Sequence, residues 1–551
     1  TAYRYITVLS LKEYGEGPWW HPWLCGGAPA WGYVEGASNL VSPYLPLYLL
    51  LDIRSALRLE VLGAGLMGLA GAYLFASLFT RSVAMRALLA ALWVLNGRWA
   101  LQAAVGHTWH LQYGLMPWAF FFFERARQVG KLRGAVYVGV CLALMVYWGG
   151  IYPLPQTALL LSLYALLVAL FERSVRPLLL MALAGPIAVG LSAPKLLAVL
   201  DHMQDVPRLI ESKEVIGLSE LLVMLTDPTQ RYGSRPVRVP AYNWHEWGIY
   251  VGVGGVVLIA LALVFARGKR EYALKILGLL CLLLGFGAFN PNAPWTLLHE
   301  LPVFASQHVP SRFHYPMLLM FGAAFVSMLG RWLDPAIGRR PWLDGLLLVP
   351  VAVFAFDMVR VSQVPFSQAF WMRAPEHIHK AEHFEHLTQP PLQYVKHDWA
   401  PPMLLSMMAN QGVIKCYGID PNFQPAPHAA DQPGYRGQAY IDQGQGSAEV
   451  VEWTPNRARV RVRGATAGAL VVYNMNYDRN WRANGEPALE YQRLVAYRLG
   501  PGQSEVEFRY FPRTFAWSLP LLLLTLALCL VRSKHLARLR RWRSGKETKS
   551  G

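Results

Sequence analysis

The chain has 551 residues, of which 54% are hydrophobic and only 15% charged, and its net charge is +17. Soluble globular domains carry about 25% charged residues, so this composition excludes an ordinary soluble enzyme. The deficit is local, with long uncharged runs joined by charged connectors, as in a multi-span membrane protein.

The chain opens on Thr1-Ala2-Tyr3, which resembles no signal peptide, and the expectation is that a further segment precedes Thr1. Residues 1–55 read as a first loop with interfacial segments. Within it, residues 17–32, GPWWHPWLCGGAPAWG, hold four tryptophans, three prolines and no charge. An aromatic belt at a membrane surface would use such rings, apolar in body with an N–H to satisfy. However, Pro18, Pro22, Pro29, Gly26 and Gly27 prescribe a defined, non-helical path, which a belt does not need. A shaped wall of a site is therefore the competing reading. The run 39–52 is apolar but too short to cross and reads as interfacial or re-entrant.

Residues 56–362 read as a transmembrane helical domain, with spans at 56–79, 84–105, 110–124, 133–149, 151–172, 176–200, 248–267, 272–290, 313–333 and 341–362. An eleventh span lies at 515–532. The connectors TRSVAMR (80–86), ERARQVGKLR (124–133), ERSVR (172–176), ARGKRE (266–271) and RWLDPAIGRR (331–340) are basic, whereas GHTWH (106–110) and WGGIYP (148–153) carry no lysine or arginine. Basic connectors mark the cytoplasmic side. That alternation places 1–55, 201–247, 291–312 and 363–514 outside the cytoplasm and the C-terminus inside. A twelfth helix before Thr1 would put the true N-terminus in the cytoplasm.

Residues 363–404 read as an outer connecting segment, His-rich and helical in part. From about 405 the periodicity changes to two. SAEVVEWT, RARVRVRG, GALVVYNMNY, LVAYRLG and SEVEFRYF alternate or cluster β-branched and aromatic residues, separated by turn-like TPNR, NGEP and GPGQ. They predict a small outer β-sandwich over 405–513, followed by the last helix at 514–532 and a basic cytoplasmic tail at 533–551 that touches anionic lipid. Cys141, Cys281 and Cys529 lie in apolar runs as packing residues. Cys25 and Cys416 lie outside them and are the two that could pair, although spacing alone does not supply the geometry.

Several stretches together resemble YfhO-like bacterial membrane proteins. GPWWHPWLCGGAP (17–29) is similar to their G-x-PLWNPYxxGG-x-P element, HEWGIYVGVGGVVL (245–258) to their E-x-x-YVG, and LPVFASQHVPSRF (301–313) to their LPxFxxxRxPxRF. VVYNMNYDRNWRANGEP and YRLGPGQSEVEFRYFPRTF resemble their terminal β-module. The matches are dispersed over nearly the whole chain in order. The family is similar to the GT-C glycosyltransferases, and the resemblance implies transfer of a polyprenyl-phosphate-linked sugar on the outer membrane face, with an acidic residue of the first outer loop serving the chemistry. Two departures stand out. The usual first helix and its acidic motif would fall at or before residue 1, and His308 stands where the R-x-P-x-R element has its first arginine.

Such transfer needs a base for the acceptor hydroxyl, a cation for the departing phosphate and a groove for the lipid. The outer-face acids near the membrane are Glu13, Glu16, Glu35 and Glu246. Glu246 stands among aromatics at the mouth of a span, where an unpartnered carboxylate is unfavourable. It heads the catalytic candidates, followed by Glu13 and Glu16; a salt bridge to a neighbouring loop is the alternative for Glu246, and a solvated surface for the other two. Arg312, at the start of a span, is the candidate phosphate ligand, since a guanidinium binds phosphate oxygens bidentately; an ordinary lipid headgroup is the alternative. His308 and His314 flank it. The other substrate-binding candidates are His245, the short-turn His107 and His110, and the loop residues Trp19, Trp20, His21 and Trp23. Lys213, Arg231, Arg235 and Arg238 would steer an anionic donor. HIHKAEHFEH holds His377, His379, His383 and His386, but no HExxH motif, so a solvated face is favoured over zinc and no metal site is assigned.

The reading is thus an α-helical polytopic protein of the bacterial inner membrane with an extracytoplasmic β-sandwich. Its expected function is glycosyl transfer to a cell-envelope acceptor. Its expected partners are membrane lipid, the polyprenyl-phosphate sugar donor and other membrane subunits, with no nucleic acid because no aromatic platform accompanies the basic tail. The cofactor stays open, with a divalent cation as the candidate. The alternative is a non-catalytic GT-C-like subunit that scaffolds a larger membrane complex. A transporter is disfavoured, since the charges concentrate at loops and no inverted repeat is present.

Overall fold

The structure, a computed structural model, describes residues 2–231, 242–369, 378–389, 402–415 and 424–547. It is mostly helical, with a C-terminal β-sheet region. Among the described residues, seven helical segments are long and apolar enough to cross a membrane: Ile53–Ala76, Pro153–Glu172, Arg176–Asp205, Trp244–Phe265, Pro310–Arg339, Trp342–Ser367 and Arg513–Leu530.

The sequence predicts eleven, and the other four runs fall short of the roughly 20 residues that a crossing needs. The run 84–105 divides into Val83–Val94 and Gly97–Ala104. Asn96 makes the break. Its side-chain oxygen accepts from Arg98 N at 3.0 Å and caps the second helix, while its amide donates to the Leu92 and Trp93 carbonyls, each at 2.9 Å. The run 110–124 begins as a 3₁₀ turn over Thr108–Leu115 and is α-helical only over the 14 residues Met116–Val129, which Gly130 stops in the left-handed conformation. Gly134–Tyr147 has 14 residues and Lys269–Gly285 has 17. The run 39–52 holds one short helix, Leu45–Leu50.

Burial separates centre from periphery. The most apolar window of Pro310–Arg339 is 78% buried, against 11% for Trp342–Ser367 and for Arg513–Leu530. Phe356 and Trp517, on the two peripheral helices, are 69% and 75% exposed, as suits helices that face hydrocarbon. Small residues bring helices close. A Cβ on Gly190 would lie 2.1 Å from the hydroxyl of Thr525, so only glycine lets the Arg513–Leu530 helix rest on Arg176–Asp205 there.

The β region has a five-stranded sheet in the order Glu486–Pro487, Trp481–Ala483, Glu505–Tyr510, Arg457–Arg463, Ser447–Thr454, and a four-stranded sheet in the order Leu489–Tyr491, Leu494–Arg498, Leu470–Asn476, Ala439–Gln443. All pairings within the two sheets are antiparallel. Period-two alternation turns Ala458, Val460 and Val462 inward, where they share one core with Val471, Tyr473 and Phe508. Residues 378–384, expected to be helical, are not, and Glu385–Leu387 instead pairs in parallel with Gln411–Val413. His379 and His383 are exposed and His386 is buried in that strand, so no helical face gathers them; His377 lies outside the described residues. Among the described residues no group of three or more histidine, cysteine or acidic side chains is placed to hold a metal ion.

The aromatic stretch of the first loop buries Trp20, Trp23 and Trp31 against other parts of the protein. It is a clip that fastens the β region to the helices. Trp20–His21 pairs with Ala28–Pro29, and Val413 N donates to the Trp23 carbonyl at 3.1 Å. Trp20 packs on Trp481 and Tyr510 with ring centroids 5.2 and 4.6 Å away, and Trp23 on Trp453 at 5.6 Å. Asn456 accepts from Trp20 N at 2.9 Å, and Asn476 donates to the carbonyls of Cys25 and Gly27 at 2.7 and 2.8 Å. Cys25 is disulfide-bonded, whereas Cys141, Cys281 and Cys529 are free; Cys416 lies outside the described residues.

Candidate functional site

The short helix Trp244–Trp247 carries Glu246 into the interior, where it is 3% exposed. Opposite it, Val309 takes a left-handed backbone (φ 58°) and Pro310–Phe313 forms a 3₁₀ turn, which brings Arg312 inward. A β-branched residue in that region is strained, by about 1–3 kcal/mol, and persists only where its surroundings hold it. Arg312 meets Glu246 as a fork, with Nε at 3.0 Å and Nη2 at 2.5 Å from the two carboxylate oxygens. Its guanidinium lies 4.0 Å from the Tyr152 ring centroid and 4.7 Å from that of Trp109.

Further side chains close on this pair. Arg98 Nη1 donates to the Glu246 carbonyl at 2.5 Å, and its Nη2 stands 3.8 Å from the carboxylate. Ser311 donates to the same carbonyl at 2.8 Å. His107 Nδ1 and His245 Nε2 lie 3.9 and 3.8 Å from the carboxylate. His107 also bonds Gln102 at 2.8 Å, and Gln102 donates to the His245 carbonyl. His308 Nδ1 contacts the Tyr242 hydroxyl at 3.3 Å, and the His308 backbone N–H donates to the Tyr152 hydroxyl at 3.4 Å. Burial lowers the pKa of both His107 and His308 to about 3, so both rings are neutral at pH 7.

The first loop adds a second acid. Residues 31–36 are stapled to the Arg176–Asp205 helix by Lys195, fully buried, whose ammonium donates to the carbonyls of Trp31, Tyr33 and Gly36 at 2.7, 2.8 and 2.6 Å. Trp31 Nε1 returns a bond to Pro194 O at 2.8 Å. This loop presents Glu35. Gly149, at φ +76°, lets the 148–153 turn close beneath it, since a Cβ there would come within 3.1 Å of Glu35 Cα. Desolvation raises the pKa of Glu35, opposed by the charges of Arg208, Arg4 and Arg312. Arg208 also feels Tyr152, Tyr33 and Arg312, so Glu35, Arg208, Tyr152 and Arg312 form one electrostatic cluster.

Arg312 and Arg98 act on Glu246, Arg208 and Arg312 act on Glu35, and Arg4 is already paired with Glu60 at 2.9 Å. A third acid, Glu214, accepts from Val309 N at 3.3 Å. Among the described residues, Nη1 of Arg312, Nε of Arg98, and Nε and Nη1 of Arg208 are buried without a hydrogen-bond partner. A buried donor left unmade costs about 1–3 kcal/mol. An anion with several oxygens is the ligand that such donors fit.

The predicted site residues therefore divide. Glu246, Arg312, His308, His245 and His107 come together. His110 stands behind them, packed on Tyr113 and Tyr315 at 4.9 and 5.0 Å. His314 is buried against Phe286. Glu13 and Glu16 are not there. Glu13 pairs with Lys380 at 2.6 Å, and Glu16 accepts from Asn456 at 2.8 Å and from Thr454 at 3.0 Å, so both tether the β region. Trp20, His21 and Trp23 belong to the clip, and Trp19 packs at a tilt on Phe515 of the last helix, with ring centroids 4.8 Å apart. Lys213 is exposed and paired with Glu211, and Arg231 is exposed; Arg235 and Arg238 lie outside the described residues. Arg208 and Lys195 carry no motif, although a lysine in the middle of an apolar run is itself a signal. No family model matches the chain, and no curated protein or solved structure matches it significantly.

Proposed function

We propose that this chain is a GT-C-like membrane glycosyltransferase that moves a sugar from a polyprenyl-phosphate donor to a cell-envelope acceptor. The observation that carries the proposal is the set of unmade buried donors on Arg98, Arg208 and Arg312, two of which, Arg208 and Arg312, act on Glu35, an acid whose proton affinity is raised. In this proposal the basic connectors mark the cytoplasmic side, and the cluster lies at the outer face of a bacterial inner membrane. A disulfide at Cys25 suits that side because oxidising compartments preserve disulfides.

The roles follow from the contacts. Glu35 accepts the proton of the acceptor hydroxyl, whose oxygen attacks the anomeric carbon of the sugar. The bond from that carbon to the phosphate oxygen breaks, and the polyprenyl phosphate leaves with the bonding pair. Arg208 and Arg98 offset its charge. Arg312 is less free than its motif suggests. Its fork is committed to Glu246, so the pair shapes the cavity wall and offers one remaining N–H.

The test is glycan transfer, or envelope composition in cells, with Arg208→Ala and Glu35→Gln at matched expression and thermal stability. Loss of one electrostatic contact lowers the rate by about 10²–10³, and loss of the base by about 10²–10⁴. Glu35 works only when ionised. The rate should therefore fall as pH drops through a pKa above the ordinary carboxylate range, and Glu35→Gln should lose that limb. Full activity in stable Arg208→Ala protein removes the phosphate role. The scaffold reading has its own support in Glu246 and Arg312, which neutralise each other as a purely structural pair would. It gains if stable wild-type protein neither binds nor turns over any polyprenyl-phosphate sugar.

A further inference from the structure

The helices Ile53–Ala76, Val83–Val94 and Trp342–Ala369 leave a groove of about 730 Å³ between them. Its wall is almost wholly apolar and includes Tyr73, Ala87, Ala91, Leu95, Val351 and Ala352. The groove has a sequence cause. Ala87 and Ala91 are one turn apart on the middle helix and Ala352 faces them from the third, so the helices meet across methyl groups where longer side chains would have filled the space. From Ala87 to Leu95 the helical rise is about 12 Å. That is close to one half of the roughly 30 Å hydrocarbon layer.

One end of the groove is cationic. The Arg86 guanidinium lies 5.8 Å from the ring centroid of Tyr73, and its Nε donates to Thr80 O at 3.0 Å. Its two Nη groups bond to no protein atom among the described residues. The acids of this region are already engaged. Asp334 accepts from Thr80 Oγ1 at 2.6 Å and Arg81 N at 2.9 Å, and Asp344 accepts from Ser82 Oγ, Val83 N and Ala84 N at 2.5, 2.7 and 3.2 Å. Neither carboxylate neutralises Arg86. An apolar slot one leaflet long that ends at a guanidinium with no acidic partner among the described residues matches a lipid with an anionic head.

We infer that this groove holds one acyl chain of an anionic phospholipid, with the headgroup phosphate at Arg86. The inference rests on the membrane reading but not on glycosyl transfer, because the groove lies at the basic TRSVAMR connector, which the proposed topology puts on the face opposite the arginine cluster. The lipid would splint the Trp342–Ser367 helix, whose most apolar window is only 11% buried, to its neighbours.

Native mass spectrometry of the full chain tests this, after extraction from vesicles of equal phosphatidylglycerol and phosphatidylethanolamine. Wild type should retain one phosphatidylglycerol per chain. Ala352→Trp, at an exposed position, fills the slot without entering the core and should lower retention about tenfold or more. Arg86→Gln should keep chain binding while losing preference for the anionic lipid by about fivefold. Ala355→Phe repeats the filling test should Ala352→Trp fold poorly. Undiminished retention in a folded slot-filling variant overturns the inference, as does retention of polyprenyl phosphate or detergent alone. Activity tests at Glu35 and Arg208 read the other proposal and leave this one untouched.

Discussion

Lys195 shows how one residue can carry a function that no motif announces. A lysine inside an apolar helix is unfavourable unless its three N–H groups are met. Here three carbonyls of the 31–36 loop meet them, so the charge that would disrupt the helix instead holds Glu35 in place. Lys195→Met leaves those carbonyls without a donor and should cost about 3 kcal/mol or more. Amide exchange across 31–36 should quicken more than elsewhere. Unchanged exchange in that loop would mean that the staple is not what orders it. Asn96, Asn456 and Asn476 act similarly at smaller scale, each ending or joining an element through one side chain.

At the scale of elements, the segment 17–32 answers to the β region. Its prolines and glycines make a non-helical path because the path is a short strand pair laid against another domain's core. Trp20 is 1% exposed and touches Trp481 and Tyr510. Trp20→Ala should destabilise the junction by about 3–5 kcal/mol. Limited proteolysis would report it as faster release of the β region, with helical content unchanged by circular dichroism. Protection equal to wild type would return these tryptophans to the role of a membrane belt. The loop's two ends thus do different work. Residues 20–29 hold the β region, and residues 31–36 present an acid beside the arginines.

At the scale of the molecule, the proposed topology joins both findings. The Pro310–Arg339 segment is the buried axis, and the peripheral helices show their apolar sides outward. The net charge of +17 is spread over the connectors and tail. If basic connectors face the cytoplasm, the β region lies outside. A cysteine introduced at exposed Asn484 should then react with an impermeant reagent without opening of the inner membrane. Labelling that requires the membrane to be opened would reverse the topology.

The sequence alone determined that the chain is helical and apolar, where its β strands lie and which connectors carry the charge. Those features follow from local periodicity and composition, which act along the chain. It also brought Glu246 and Arg312 into view, because a charge at the mouth of an apolar run stands out. The number of long apolar helices was less legible. Asn96, Gly130 and a 3₁₀ turn cut runs that hydropathy reads as continuous. What only the tertiary structure decided is who meets whom. Arg208 faces Glu35 across more than 170 residues, Lys195 reaches back to the first loop, and the tryptophans of that loop find Trp481 and not Arg312. Such pairings depend on the packing of distant elements, where a buried charge or ring is satisfied by whichever partner the fold brings within reach.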